Sequence, residues 1–546
     1  MSEIEDRRAV EIIHMAEQEE SKAANFRSLY QSVADLMYPV ENQITGSHTP
    51  GEDKSLNIRD PTGIFALDDM VAGLIGTWIP SGQKFFGIKA KDRRRGGTDR
   101  SLRYLALATD VAHEEMFESN FMLQLHDTVK ALGAFGTGNI YSEWNTKVGG
   151  LNYKDWHIST YTIKQDARGR VDTVIITFDY TARQACDEFE NPGEKVIKDA
   201  SDLKTESKLH TFIYVVRPRL KRNVMLVDNL NMPWESVYVN KNEKIIVDEG
   251  GFEEFPFAVP RWEKSSVEKY GRGRGTVMLS AVKELQQMHK DFVECGNRWN
   301  NPSRWQIDAA MEGTLDNSPG ALNHFMEKDA AGALDSQLNG NFPITKDVIE
   351  FQQEIINKGF YKDIFVQMAD LKGDRRTTVE IEARLKEGLR RLVSPVARME
   401  SELFTPLITR SVLLLIRNGR IPKPPPELSG AEFGIEYMGE LAMAMRNYQA
   451  RAFTQFTSLL AGMAPMFPEA TDILNLDRAL PNIGVTMGVR VEDMNTEEEI
   501  AAKRAKRAQD EMQMKMLMAA QAGAEAYSKA TKAPEAGSPA EELVGV

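Results

Sequence analysis

Only two cysteines, Cys186 and Cys295, occur in 546 residues, and they lie far apart with no C-x-x-C spacing. That scarcity argues against a disulfide framework or a cysteine zinc site, and it points to synthesis in a reducing cytoplasm. No stretch approaches the ~20 uninterrupted apolar residues that a membrane helix needs, so no membrane contact is expected of the free chain. The first residues, Met1 to Asp6, are acidic and lack the apolar core of a secretory signal. A surplus of positive charge is missing too: 67 Lys and Arg face 80 Asp and Glu, for a formal net charge of -13. Tight retention of nucleic acid needs a basic surface, and this balance argues against it. An acidic wall with a few basic points suits DNA that slides past.

Catalytic signatures are equally scarce. There is no G-x-x-x-x-G-K-[ST] phosphate loop, no H-E-x-x-H pair and no G-x-S-x-G elbow. The eight histidines are scattered, without cysteine neighbours at zinc spacing. His113, followed by Glu114 and Glu115, reads as part of a solvated helix face. Gly271-x-Gly273-x-Gly275 lacks the spacing of a dinucleotide fingerprint, so it reads as a tight turn before a helix. Neither cofactor nor metal is expected, and the chain is not expected to be an enzyme.

What is present is a soluble composition, 42% hydrophobic and 27% charged, long enough for three or four structural units. Residues 3–40 carry apolar side chains at three- and four-residue steps up to Pro39, which predicts one helix or a pair. Asp60-Pro61-Thr62 predicts the start of a second, with Asp60 as N-cap and Pro61 in the first turn. A helical block over 99–133 is expected to break at Gly133, Gly136 and Gly138. From 139 to 260 the pattern turns to period two, notably at Ile140–Trp144, Val171–Tyr180, Phe212–Val216 and Val237–Val239. This predicts a small sheet lobe with one helix near Thr181–Phe189. Helix returns from Thr276 to Asn301-Pro302 and again from about Thr345. A third stretch, from Thr377 to Gly419, is interrupted by Pro395 and Pro406 and is expected to kink. Beyond Pro422 to Pro426, helices are expected over 439–465, 469–478 and 496–527, before a tail rich in Pro, Gly, Ser and Glu.

Two basic clusters stand out. Arg93, Arg94 and Arg95 form the densest run, read first as an exposed loop and second as a nucleic-acid or partner contact. Lys372, Arg375 and Arg376 lie in a glycine-containing turn between helical stretches, where they would project from a hairpin tip.

Taken in order, several short motifs resemble the head-to-tail connector (portal) proteins of short-tailed bacteriophages. They include Asp60-Pro61-Thr62-Gly63, Pro80-x-Gly82-x-x-Phe85-Phe86, Val259-Pro260-Arg261-Trp262 and Tyr270-Gly271-Arg272-Gly273. Asn301-Pro302, Thr377-x-x-Glu380-Ile381 and Glu402-Leu403-Phe404-x-Pro406-Leu407 complete the set, which spans roughly residues 10 to 495. The resemblance implies a fold that is mainly α with a smaller α+β lobe, in a wing, stem, clip and crown subunit of a dodecameric ring. It implies a wing over 1–270, stem helices at 276–300 and 345–369, and a clip at 301–344. A tunnel loop would occupy 370–377, bearing Lys372, Arg375 and Arg376, with a long kinked wing helix over 378–419. A crown would follow over 428–495, and 496–546 would be a helical barrel or a disordered tail. The implied partners are other copies of the chain, double-stranded DNA in the channel, the terminase large subunit, tail adaptor and tail proteins, and major capsid and scaffold proteins. The implied location is the portal vertex of the virion. An alternative is a scaffold or internal head protein, against which the sheet lobe argues. A nucleotide-dependent enzyme using the glycine turn ranks last.

Overall fold

The computed structural model describes residues 2–46, 49, 51–55, 58–80, 84–91, 99–226, 228–300, 304–307, 315–316, 321–324, 326, 331–333, 342–365, 391–392, 394–428, 430, 432–438, 456–458, 495 and 497–530. In chain order the elements begin with α1 (Ser2–Met37), α2 (Thr62–Trp78), β1 (Phe86–Ala90), α3 (Asp99–Glu118) and α4 (Phe121–Phe135). The sheet region follows as β2 (Ile140–Asn145), β3 (Gly150–Asp155), β4 (Tyr161–Gln165), β5 (Val171–Thr181), α5 (Ala182–Glu188), α6 (Glu194–Ser201), β6 (Leu209–Pro218), β7 (Trp234–Asn240), β8 (Ile245–Phe252) and β9 (Phe257–Ala258). Then come α7 (Arg274–Asn300), β10 (Arg304–Gln306), β11 (Ala331–Ala333), α8 (Phe342–Gly359), α9 (Thr405–Arg417), β12 (Phe433–Tyr437) and α10 (Glu497–Ala530). Helix dominates, with a smaller α+β lobe.

The chain forms two compact units. The first comprises Met1–Lys91, Leu107–Pro424 and Glu432–Ala442; the second comprises Asp92–Ala106, Pro425–Ala431 and Met443–Val546. In the first, strands β4 to β8 form an antiparallel sheet in sequence order. Its two faces follow from side-chain alternation along the strands. Ile213, Val215, Val237 and Val239 point to one face, where Ala9, Ile12, Ile13 and Ala16 of α1 cover them. Phe212, Phe178 and Tyr238 belong to the other, packed with Ala182, Ala185 and Phe189 around α5 and with Val196 of α6. Helix α5 opens on a capping box: Thr181 accepts from the Gln184 backbone, and the Gln184 side chain accepts from the Thr181 N–H. The second half of α1 buries Tyr30, Val33, Ala34 and Met37. The four-residue and three-residue steps thus serve two different cores along a single helix.

Several expectations need correction. Gly133 does not break a helix; it lies within α4, where a Cβ would stand 2.6 Å from the Met70 methyl of α2. The break falls earlier, between α3 and α4, and Gly136 is the left-handed C-cap of α4 at φ 95°. Helix α2 begins one residue later than expected, with Pro61 as its N-cap, although Asp60 Oδ1 still accepts the Thr62 N–H at 2.8 Å. His113 is not solvated: it is buried, stacks on Phe86 at 4.1 Å, and has Nε2 3.0 Å from the Phe86 carbonyl oxygen. Burial pushes its pKa down. The sheet lobe also contains a second helix, α6, and a separate three-stranded sheet in the order β3-β2-β9.

In the second unit α10 is 34 residues long, or ~51 Å at 1.5 Å per residue. Met512, Met514, Met516, Leu517 and Met518 stand exposed along it. Among the described residues no helix is long and apolar enough to cross a membrane.

Candidate functional site

The glycine turn at 271–275 is a docking surface for backbone. A Cβ on Gly273 would stand 2.6 Å from the Gly133 carbonyl oxygen and the Gly136 nitrogen, and one on Gly275 would clash with the Ala134 carbonyl. None of the three glycines in the turn has a positive φ, so they are needed for close approach rather than for unusual dihedrals. Main-chain bonds seal the contact: Trp262 N donates to Gly136 O at 2.9 Å and Arg272 N to Glu263 O at 2.7 Å. Gly271 N donates to Thr137 Oγ1 at 2.9 Å. The start of α7 is thereby fused to the end of α4.

Helices α7 and α8 run antiparallel as a hairpin. At its base Arg274, in the first turn of α7, donates to the Gly359 carbonyl at 2.8 Å and lies 4.8 Å over the Tyr361 ring. A cation is thus placed at the C-terminal end of α8, where the last carbonyls lack helical partners. Higher up, Gln352 Nε2 reaches Ala281 O at 3.3 Å and Glu284 Oε2 at 3.2 Å. Buried Asp60 ties the hairpin to the start of α2. Gln286 accepts from the Arg59 and Asp60 N–H groups and donates to the Asp60 carbonyl, while Gln353 donates to Asp60 Oδ2 at 2.7 Å. Away from this seam the hairpin is exposed. Its charges pair along each helix, as in Lys346–Glu350 and Glu354–Lys358 of α8. Val348, Phe351 and Ile355, spaced three and four residues apart, present apolar surface, and Phe351 is 63% exposed.

The segment that returns from the hairpin is fastened by an ion pair. Arg261 is buried; its Nε and backbone N each donate to Glu402 Oε2 at 3.0 Å, and its Nη2 donates to Glu402 Oε1 at 2.6 Å. The guanidinium also donates to the Gly169 and Lys269 carbonyls, so the buried charge is both neutralised and hydrogen-bonded. Glu402 lies in a π turn, Glu400–Phe404, that leads directly into α9. Pro406 has no N–H to bond back along the helix, and the wide turn accommodates it. Thr405 N and Oγ1 and Tyr437 Oη all converge on the Glu400 carbonyl.

Beneath the glycine turn the core is polar. Tyr30 Oη donates to Gly271 O at 3.4 Å, and the Tyr270 hydroxyl accepts from Ile163 N at 3.4 Å. Asp155 lies near this layer. Burial, with Asp127 and Glu41 nearby, pushes its carboxyl up to about 8. Hydrogen counting agrees. Thr128 Oγ1, with one hydrogen to give, lies 2.8 Å from the Gln124 carbonyl and 2.6 Å from Asp155 Oδ1. A protonated Asp155 satisfies both contacts by donating to Thr128.

Lys372, Arg375 and Arg376 lie outside the described residues, as do Arg93, Arg94 and Arg95. So do 366–390 of the segments expected as the second stem helix, tunnel loop and kinked helix, all but 456–458 of the helices expected over 439–465 and 469–478, and most of 301–344. From the last, a short antiparallel pair, β10 with β11, is described. Sequence reasoning quoted Arg261 and Glu402 in separate motifs without linking them, since 141 residues separate the partners. Gln286 and Gln353 carry no local signal, because their partner Asp60 lies 226 and 293 residues away in the chain. Among the described residues no group of His, Cys, Asp and Glu could hold a metal ion.

The chain belongs to the bacteriophage head to tail connecting proteins, whose family model covers residues 9–494. It is similar to the probable portal protein of Bordetella phage BPP-1, at 24% identity over 514 residues and 92% of each chain. It is also similar to the portal protein of Salmonella phage epsilon15, at 25% identity over 544 residues, covering 97% of this chain and 96% of that one. This membership gives the chain a portal role at the junction of head and tail, and places it in the virion.

Proposed function

We propose that twelve copies of this chain close into a ring at one vertex of a short-tailed phage head. Double-stranded DNA passes through its centre during packaging and again during ejection. The terminase large subunit docks first and supplies the energy, because the sequence has no G-x-x-x-x-G-K-[ST] phosphate loop. Tail adaptor and tail proteins follow, with major capsid and scaffold proteins around the rim. In this reading α7 and α8 belong to the stem, 301–344 is the clip, and 370–377 is the tunnel loop with Lys372, Arg375 and Arg376 facing DNA. Residues 428–495 form the crown, and Arg93 to Arg95 supply a further basic contact.

The observation that carries the reading is the hairpin. It is tied down by Arg274 at its base and by Gln286 and Asp60 further along, while Val348, Phe351 and Ile355 remain uncovered on α8. An apolar ridge on a rigid, charge-balanced helix suits burial against a neighbouring copy. Helix α7, at 27 residues, is ~40 Å long, which suits a channel wall. The net charge of -13 suits a lumen that repels DNA, with a ring of loop arginines as its local, salt-sensitive contacts.

Native mass spectrometry and negative-stain imaging of the purified protein test the ring. Closed rings with a central hole are expected, and a chain that stays monomeric with and without scaffold would overturn the reading. Arg375→Ala with Arg376→Ala should leave the ring intact and impair DNA packaging or retention. An unchanged phage yield would remove the tunnel-loop assignment.

A further inference from the structure

The five-stranded sheet ends in two unlike exposed surfaces. At one end, beyond the Pro218–Trp234 pair, the β6–β7 connection spans 219–233. It holds Leu220 at 95% exposure and Met225 at 90%, with Val224, Leu226 and Leu230 also exposed. This loop is built rather than slack. Arg219 N donates to Pro233 O at 2.8 Å, Asn223 N to Asn231 Oδ1 at 2.8 Å, and Asn231 Nδ2 to Asp228 Oδ1 at 2.6 Å. Arg219 is anchored on Glu249, whereas Lys221 and Arg222 are exposed and meet no carboxylate among the described residues.

At the other end, beyond the Thr181–Leu209 pair, the connection spans 182–208 and carries α5 and α6. It has seven carboxylates against five cations. Asp187, Glu190 and Glu194 are exposed without a cationic partner among the described residues. Apolar surface is again uncovered, with Leu203 at 87% exposure beside Ile197 and Leu209. The segment is ordered by Ala182 N and Arg183 N, which donate to the Lys208 and Glu206 carbonyls.

We infer that these two ends are the two halves of one head-to-tail contact, the 219–233 loop of one copy seating on the 182–208 segment of the next. The inference rests on the ring reading above and assigns a seam within it. A closed ring requires each subunit to offer two different, complementary patches on separate sides. Strand β6, ten residues long, holds these patches ~33 Å apart. Their charges are opposite, and both present large apolar side chains in water. DNA does not fit the basic loop, because five apolar side chains surround its two free cations. A second copy uses both features.

The test places Met225→Cys and Leu203→Cys together in a Cys186→Ser, Cys295→Ser background and treats assembled rings with a short bismaleimide. Both positions are exposed, so the core is untouched, and the length of β6 prevents a link within one chain. A covalent ladder rising to the full ring, absent with either cysteine alone, is expected. Closed rings without a ladder would show that something else covers the loop, overturning the seam while leaving the ring reading intact. Absence of rings in the parent chain itself would overturn both. Lys221→Glu with Arg222→Glu should raise the concentration needed for assembly on the order of tenfold. Adding Asp187→Lys and Glu190→Lys should restore it. Assembly indifferent to the first pair, or not rescued by the second, would also count against the seam.

Discussion

A carboxyl that stays protonated near neutral pH is the residue with the clearest measurable consequence. An ordinary Asp titrates near ~3.9, whereas Asp155 is raised to about 8 by burial. Its contribution to stability is therefore complete below pH ~4 and lost as pH climbs through 8, because the unfolded chain gives up that proton first. Asp155→Asn keeps a donor toward Thr128 and removes the titration. Thermal denaturation from pH 5 to 9 should show a flatter profile for the variant and a higher Tm than the parent at pH 8 and above. A parent slope unaltered in the variant would place the titrating group elsewhere. Glycine makes the second prediction at this scale. Gly273→Ala forces a methyl against the backbone of α4 and should cost at least ~2 kcal/mol. Gly46→Ala, with nothing within 4 Å, should be nearly silent in the same denaturation assay.

Among the elements, the helical segment 394–417 is tied to the chain entering α7 by the buried Arg261. Breaking a buried pair strands a charge, so Glu402→Gln should cost ~3 kcal/mol or more. Arg261→Lys, which cannot reproduce the forked contact, should recover only part of the parent stability. A double-mutant cycle on chemical denaturation midpoints would measure the coupling, and a value near zero would remove Arg261 as the fastener. Element existence was largely legible in sequence: the steps of three and four in α1, the period-two stretches that became β5, β6 and β7, and the Thr181 start of α5. Boundaries were less so. Gly133 looked like a breaker because its reason for being glycine, the Met70 side chain of α2, lies 63 residues away in the chain. Strand β8 escaped notice because Asp248-Glu249-Gly250-Gly251 interrupts its apolar alternation. Glu249 is there to pair with Arg8 and Arg219.

At the scale of the whole molecule, an apolar ridge left in water on α8 has to find a partner. Phe351→Asp should leave the chain folded, since the side chain touches solvent, yet suppress ring formation in native mass spectrometry. Rings of unchanged mass and abundance would show that this face looks outward. The same substitution should leave the unfolding free energy of the monomeric chain within ~0.5 kcal/mol of the parent.

What the sequence determined by itself is whatever neighbouring residues dictate: where helices and strands run, the dearth of catalytic motifs, the acidic balance, and a series of short motifs specific enough in order to indicate the family. Tertiary structure decided which of those residues work together. Asp60 gained Gln286 and Gln353, Arg261 gained Glu402, His113 turned inward onto Phe86, and the glycines of the turn met those of α4. The reason is range. Periodicity and capping act over a few residues, whereas a buried polar group finds its partner, and a glycine its crowding neighbour, wherever the folded chain brings them together.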